Sequence, residues 1–203
     1  MLDVHLFVST FLTLFVILDP PGLLPVFLGL TRRHSTGERR AVAWRSTLVA
    51  LGVIAGFAIF GRQILAYLHI TVPSLQVSGG LLLALVALEM LMGTSDGELN
   101  QDGGDRQVSV VPIGIPLLAG PGSIVAMMVA VDRAGDALGY ATVSLALAAA
   151  MLSVWLFLRF GLTIRRFLGE SGITLLSRIA GMLLAAIAVQ MVVDGVMGFI
   201  AAS

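Results

Sequence analysis

Leu18-Asp19-Pro20-Pro21-Gly22-Leu23-Leu24-Pro25 lies inside an apolar run from Leu6 to Leu30, and its reading decides the fold. Proline lacks a backbone N–H and clashes with the preceding turn, so three prolines and a glycine within residues 20–25 end a regular helix. Asp19 stands where a second half-helix is capped. One hundred residues on, Leu118-Ala119-Gly120-Pro121-Gly122 interrupts another apolar run. Two broken helices at corresponding positions are a sequence pointer to a transporter's binding site.

Working outward, the chain can be only a membrane protein. Its 203 residues are 58% apolar and 12% charged, and the mean hydropathy is +1.00. Six runs approach or exceed the ~20 residues that cross a hydrocarbon core: about 6–30, 44–67, 72–93, 111–131, 137–160 and 177–200. No alternation of period two marks barrel strands, so the class is all-α. The chain has no cysteine, which excludes disulfides, thiolate metal sites and a cysteine nucleophile. His5, His34 and His69 fall in separate places, and no metal or cofactor is expected. A phosphate-binding Gly-x4-Gly-Lys-Ser/Thr loop needs a lysine, and the chain has none. The start, Met1-Leu2-Asp3-Val4-His5, lacks the basic region of a cleavable signal, so the first span is expected to stay in the membrane.

A polar, glycine-rich stretch at 94–107 separates two halves, 1–93 and 108–203, of a single membrane domain. The halves resemble one another. Pro21-Gly22 recurs as Pro121-Gly122, Phe60-Gly61 as Phe160-Gly161, Ile64 as Ile164 and Leu68 as Leu168, all at a spacing of 100. Residues 80–90 lie over 181–191 with six identities. Three spans per half reverse the chain, so duplication implies an inverted repeat with the first and fourth helices broken at mid-membrane. Charge gives an independent reading. Of twelve arginines, only Arg62 and Arg133 fall outside the odd-numbered loops and their flanks, so those loops are cytoplasmic and both termini periplasmic.

An acid near mid-bilayer costs at least ~2.5–3.5 kcal/mol unless it faces protein or water. Asp19 therefore faces inward, as a helix cap, as a ligand for a cation, ammonium or proton, or as both. Prolines 20, 21 and 25 deprive the carbonyls of Val16, Ile17 and Pro21 of helical donors, and Pro116 and Pro121 do so for Pro112 and Leu117. The second break has no acid. Gly120 and Gly122 let a ligand approach the backbone, Ser123 adds a hydroxyl, and a helix amino terminus favours an anion. The two breaks together suit a small zwitterion, provided that they face one cavity. Substrate-binding candidates are Asp19, Pro20, Pro21, Gly22, Gly120, Pro121, Gly122 and Ser123. Glu89 and Gln190, equivalent in the two halves, are candidates for coupling or gating. Glu89 also reads as an acid reaching the interface, Asp194 as a solvated residue near the outer end, Trp44 and Trp155 as interfacial anchors, and the small residues of spans two, three and six as a packing seam.

At these motifs the chain resembles the MarC family of bacterial inner-membrane proteins, also called the neutral amino acid transporter family. The resemblance rests on Asp19-Pro20-Pro21-Gly22-Leu23-Leu24-Pro25-Val26-Phe27-Leu28 through Thr31, Gly79-Gly80-Leu81-Leu82-Leu83, Pro116-Leu117-Leu118-Ala119-Gly120-Pro121-Gly122-Ser123-Ile124, and the sixth span from Arg178 to Gln190. It covers nearly the whole chain. It departs at Gly114, where alanine is expected, and at Pro20, which makes a double proline. The resemblance implies six spans, an inner-membrane location and kinship with small-solute and amino-acid exporters. The expected function is a proton- or sodium-coupled secondary transporter of small neutral amino acids or similar solutes. Its partners are the solute and the bilayer, not nucleic acid, and a homo-oligomer stays open. The alternative is a non-transporting membrane protein that assembles with or regulates a partner; an intramembrane enzyme ranks last, because only Asp19 lies deep.

Overall fold

The computed structural model describes residues 3–31, 34–92 and 119–202, and within these not the side chains of Pro25, Pro121, Glu170 and Ala202. The linker at 94–107, residues 111–118 of the fourth expected span, and Arg32, Arg33 and Arg106 lie outside the described residues. The helices are α1 (Val4–Leu18), α2 (Pro20–Leu30), α3 (Thr36–Tyr67), α4 (Val72–Met92), α5 (Pro121–Arg133), α6 (Ala137–Arg159) and α7 (Gly161–Ala202), with no strand among the described residues. Among the described residues, five stretches are long and apolar enough to cross a membrane: Val4–Leu24, Thr36–Tyr67, Val72–Met92, Ala137–Arg159 and Ser171–Ala201. They coincide with the first, second, third, fifth and sixth expected spans. Of the fourth, the described part is α5.

Polar side chains set the helix starts. Asp3 accepts from the Leu6 N–H at 3.0 Å and Asp136 from the Gly139 N–H at 2.7 Å. Ser35 and Glu38 form a reciprocal box, with Glu38 N–H donating to Ser35 Oγ at 3.3 Å and Ser35 N–H donating to Glu38 Oε2 at 2.7 Å. Packing then decides the arrangement. Val143, Ala146, Ala150 and Val154 recur every three or four residues on one buried face of α6, which packs against α1 and α3. Leucines 81, 82, 85 and 183 instead point outward, as lipid-facing side chains do.

Helices α4 and α7 form the most extensive pair. Gly80 faces Ala188 and Val192, Gly181 faces Ala87, Met90 and Leu91, and Gly195 faces Pro73 and Val77. Numbers rise along one helix as they fall along the other, so the pair is antiparallel. Another matched contact joins the halves: Gly61 lies against Met128, and Gly161 against Leu24 and Leu28.

A bend just before α4 and a kink inside α7 match as well. His69 has φ 56°, and Gly169, one hundred residues later, has φ 69° and ψ 177°. The latter conformation is almost restricted to glycine. Nothing lies within 4 Å of a Cβ built on Gly169, so the cost of a side chain there is conformational alone. Gly169→Ala is expected to destabilise the protein by at least about 1 kcal/mol in a detergent unfolding titration.

At one end of the bundle Trp44 meets Trp155 edge-on at 5.9 Å, with the Arg159 guanidinium 5.1 Å from the Trp155 ring centre. Arg62 and Arg133, the two arginines set apart in the sequence, gather at the opposite end. Arg62 pairs with Asp132, and Arg133 lies 3.7 Å from Asp194.

Candidate functional site

The first break takes one residue. Asp19 closes α1 through its N–H, which donates to the Phe15 carbonyl at 3.1 Å, and its own carbonyl accepts from the Leu23 N–H of α2 at 3.0 Å. Between these bonds Asp19 adopts φ 39° and ψ 65°, a left-handed conformation that aspartate and asparagine tolerate better than most residues. Pro20 and Pro21 then start α2, where their missing N–H groups cost nothing. The carbonyls of Val16 and Ile17, whose helical donors would be those prolines, accept no backbone bond from the turns or caps among the described residues.

Asp19 is the N-cap residue of α2, as the sequence implies, but its carboxylate forms no well-aligned capping hydrogen bond there. It lies instead over Gly22, in the space that a β-carbon would fill. Asp19 is only 8% exposed, and its Oδ1 has no hydrogen-bond partner among the described residues. A buried, unpaired carboxylate oxygen is costly unless something else binds it.

Of the second expected break, the described residues hold only the side toward α5, and it is built differently. Gly120 is extended at φ −65° and ψ 163°, and Pro121 starts α5. The buried Ser123 hydroxyl donates to the Gly120 carbonyl at 2.8 Å, and the Ser123 N–H bonds the same oxygen at 3.1 Å. The open face expected at Gly122 is filled, since Leu83 of α4 occupies the position of its missing side chain. Gly122 thus brings α4 against α5, as does Gly79, which lies under Val125.

Helices α1 and α5 pack together, and Leu18 and Ala119, each adjoining a break, belong to the same buried cluster. Between them, at the Arg62–Arg133 end, opens a cavity of about 170 Å³. Its walls include Ser9, Thr10, Thr13 and Leu14 of α1, Ala126, Val129, Ala130 and Arg133 of α5, and Gln190 and Asp194 of α7. Leu14 is five residues from Asp19, and Ala126 six from Gly120. At 1.5 Å per residue the cavity thus ends roughly 7.5 Å along α1 from Asp19 and roughly 9 Å along α5 from Gly120. A second cavity, of about 430 Å³, adjoins it around Val72, Pro73, Gln76, Asp132 and Met197, and shares Gln76, Val129, Arg133 and Asp194. The residues of the breaks themselves line neither cavity.

A break of Asp-Pro-Pro-Gly type, its Gly-Pro-Gly-Ser counterpart and an all-helical membrane bundle now stand together. The sequence profile described as MarC family integral membrane protein matches residues 4–200. The chain belongs to the MarC family. A MarC relative in Methanocaldococcus jannaschii, a membrane protein, is 35% identical over 202 residues, covering 97% of this chain and 98% of its own. One from Archaeoglobus fulgidus is 36% identical over 194 residues, covering 93% and 91%. The inner membrane protein YhgN of Escherichia coli K12 is 32% identical over 194 residues, covering 93% and 95%. No solved structure matches the chain.

Within this MarC protein the candidate residues fall into two groups. Of those at the breaks, Asp19, Pro20, Pro21, Gly122 and Ser123 are buried and Gly22 and Gly120 partly so, while Gln190 lies in the cavity wall, where its amide donates to Asp194 Oδ1 at 2.6 Å. Glu89 is exposed on α4 and lines neither cavity. Asp194, expected in solvent near the outer end, is 35% exposed there and lies between Gln190 and Arg133. Sequence reading passed over Ser9, Thr10, Thr13, Gln76 and Arg133. A faint signal existed: hydroxyls at 9, 10 and 13 share one face of the first span.

Proposed function

We propose that this MarC family protein is a secondary transporter of small neutral amino acids or similar zwitterionic solutes in the inner membrane, coupled to a proton or sodium gradient. The observation that carries this reading is the cavity between α1 and α5. It opens at one end of the bundle and stops about one and a half turns short of Asp19 and Gly120, as an access path closed above a central site would. The unpaired Asp19 oxygen supplies a place for a cation, a proton or an ammonium group. The amino terminus of α5, with Gly120 and Ser123, supplies partial positive charge for a carboxylate.

Two inverted three-helix repeats, making six spans, give such a site its exchange of access. Three observations support that arrangement. Gly80 against Ala188 and Val192 becomes, on shifting each residue by 101 positions, Gly181 against Ala87 and Leu91, and both contacts occur. Gly61 against Met128 likewise becomes Gly161 against Leu28 on a shift of 100. His69 and Gly169 turn the chain at the same point of each half. The arginine distribution supports a cavity mouth on the periplasmic side, the side expected for both termini. The printed name of the relative YhgN, an inner membrane protein, supports the location.

The test is uptake of labelled glycine, alanine and serine into liposomes holding the purified protein, under imposed proton or sodium gradients. Gradient-dependent accumulation of at least one is expected. Its absence under every gradient, with inserted and folded protein, would favour a protein that assembles with or regulates a partner.

A further inference from the structure

Both cavities converge on Arg133 and Asp194, which therefore stand between the outer space and the inner one. Their contact is loose. One guanidinium nitrogen lies 3.7 Å from Asp194 Oδ2, beyond hydrogen-bonding distance, while Oδ1 accepts from the Gln190 amide. Arginine carries five N–H donors in a fork that fits a carboxylate, and an aspartate has about four acceptor positions. Both side chains line both cavities.

We propose that Arg133 and Asp194, with Gln76 and Gln190 beside them, form an outer binding site for the head group of a small α-amino acid. Arg133 takes the carboxylate and Asp194 the ammonium. The solute exchanges the loose ion pair for two charge-assisted contacts, and in doing so passes between the two cavities. Charge balance points to a zwitterion rather than to an anion or a metal ion. The other charged residue lining these cavities among the described residues, Asp132, already pairs with Arg62. This leaves one positive and one negative group facing the space. The larger cavity, about 430 Å³, falls within the range of ~300–1,000 Å³ typical of small-molecule sites. This inference rests on the zwitterionic substrate proposed above, but it concerns a site separate from the breaks.

The experiment is calorimetric titration of alanine, alanine amide and propionate into the protein in nanodiscs, with wild type, Arg133→Gln, Asp194→Asn, Arg133→Lys and Asp19→Asn. Wild type should bind alanine at two sites, and the two analogues, each lacking one charge, should bind much more weakly. Arg133→Gln and Asp194→Asn should each weaken the outer site by roughly tenfold or more. Arg133→Lys, which keeps charge and loses the fork, should fall between them and wild type. Asp19→Asn should retain the outer site and lose the inner one. Alanine binding unchanged in Arg133→Gln and Asp194→Asn would overturn the outer site and leave the breaks standing. Binding lost in those variants but untouched by Asp19→Asn would keep the outer site and remove the role given to Asp19. No alanine binding by wild type would overturn both.

Discussion

Asp19→Asn is expected to lower gradient-driven uptake by roughly 10–100-fold, the effect of losing one charge-assisted contact worth ~1.5–3 kcal/mol. The same variant should melt at the wild-type temperature or above it. Asparagine has nearly the same shape and also tolerates the φ of 39° found at this residue, so the bend persists. What disappears is a buried charge with an unpartnered oxygen, which in an apolar setting destabilises the fold. A second substitution separates the carboxylate's position from its chemistry. Gly22→Ala places a methyl where the Asp19 carboxylate now lies, and that carboxylate is the far end of a movable side chain. The fold should accept the change, since alanine is favoured over glycine in a helix by ~1 kcal/mol. Uptake should fall nevertheless, because the carboxylate is pushed from its seat. Proteoliposome uptake and detergent melts of both variants decide the matter; full activity in either would remove Asp19 from the transport step.

The sequence located the first break and the start of α5 to the residue because proline and glycine act through the backbone, whatever surrounds them. Asp19 ends α1, and Pro20 and Pro121 each start a helix, as the spacing implied. The left-handed turn at Asp19 was not legible, nor was the seat of its carboxylate over Gly22, since both depend on how α2 leaves α1. The role of Gly122 was misread for a similar reason. A glycine beside a helix break can admit a ligand or a neighbouring helix, and only the packing of α4 puts Leu83 there. The mouth around Arg133 and Asp194 escaped notice because polar residues at the end of a span look alike whether they meet water or one another. Their partners lie on other helices, 61 residues apart in the chain, and no local pattern joins them.

Gly80→Ala is expected to destabilise the protein by about 1–3 kcal/mol, the usual cost of an overfilled contact, whereas Gly181→Ala at the equivalent position should cost much less. The difference lies in what each methyl meets. At Gly80 it would stand 2.7 Å from the Ala188 carbonyl oxygen and 3.1 Å from the Val192 nitrogen, both backbone atoms of a packed helix that cannot turn aside. At Gly181 the nearest atoms are the Met90 Cβ at 3.1 Å and the Ala87 carbonyl oxygen at 3.5 Å, so a small adjustment suffices. Gly80→Val, with two more carbons against the same backbone, should separate α4 from α7 and exceed the alanine effect. Unfolding in a denaturing detergent titration measures all three. The ranking Gly80→Val, then Gly80→Ala, then Gly181→Ala follows from the close approach of α4 and α7. Equal costs at Gly80 and Gly181 would mean that the two halves meet symmetrically at that contact, with neither glycine closer to its partner's backbone than the other.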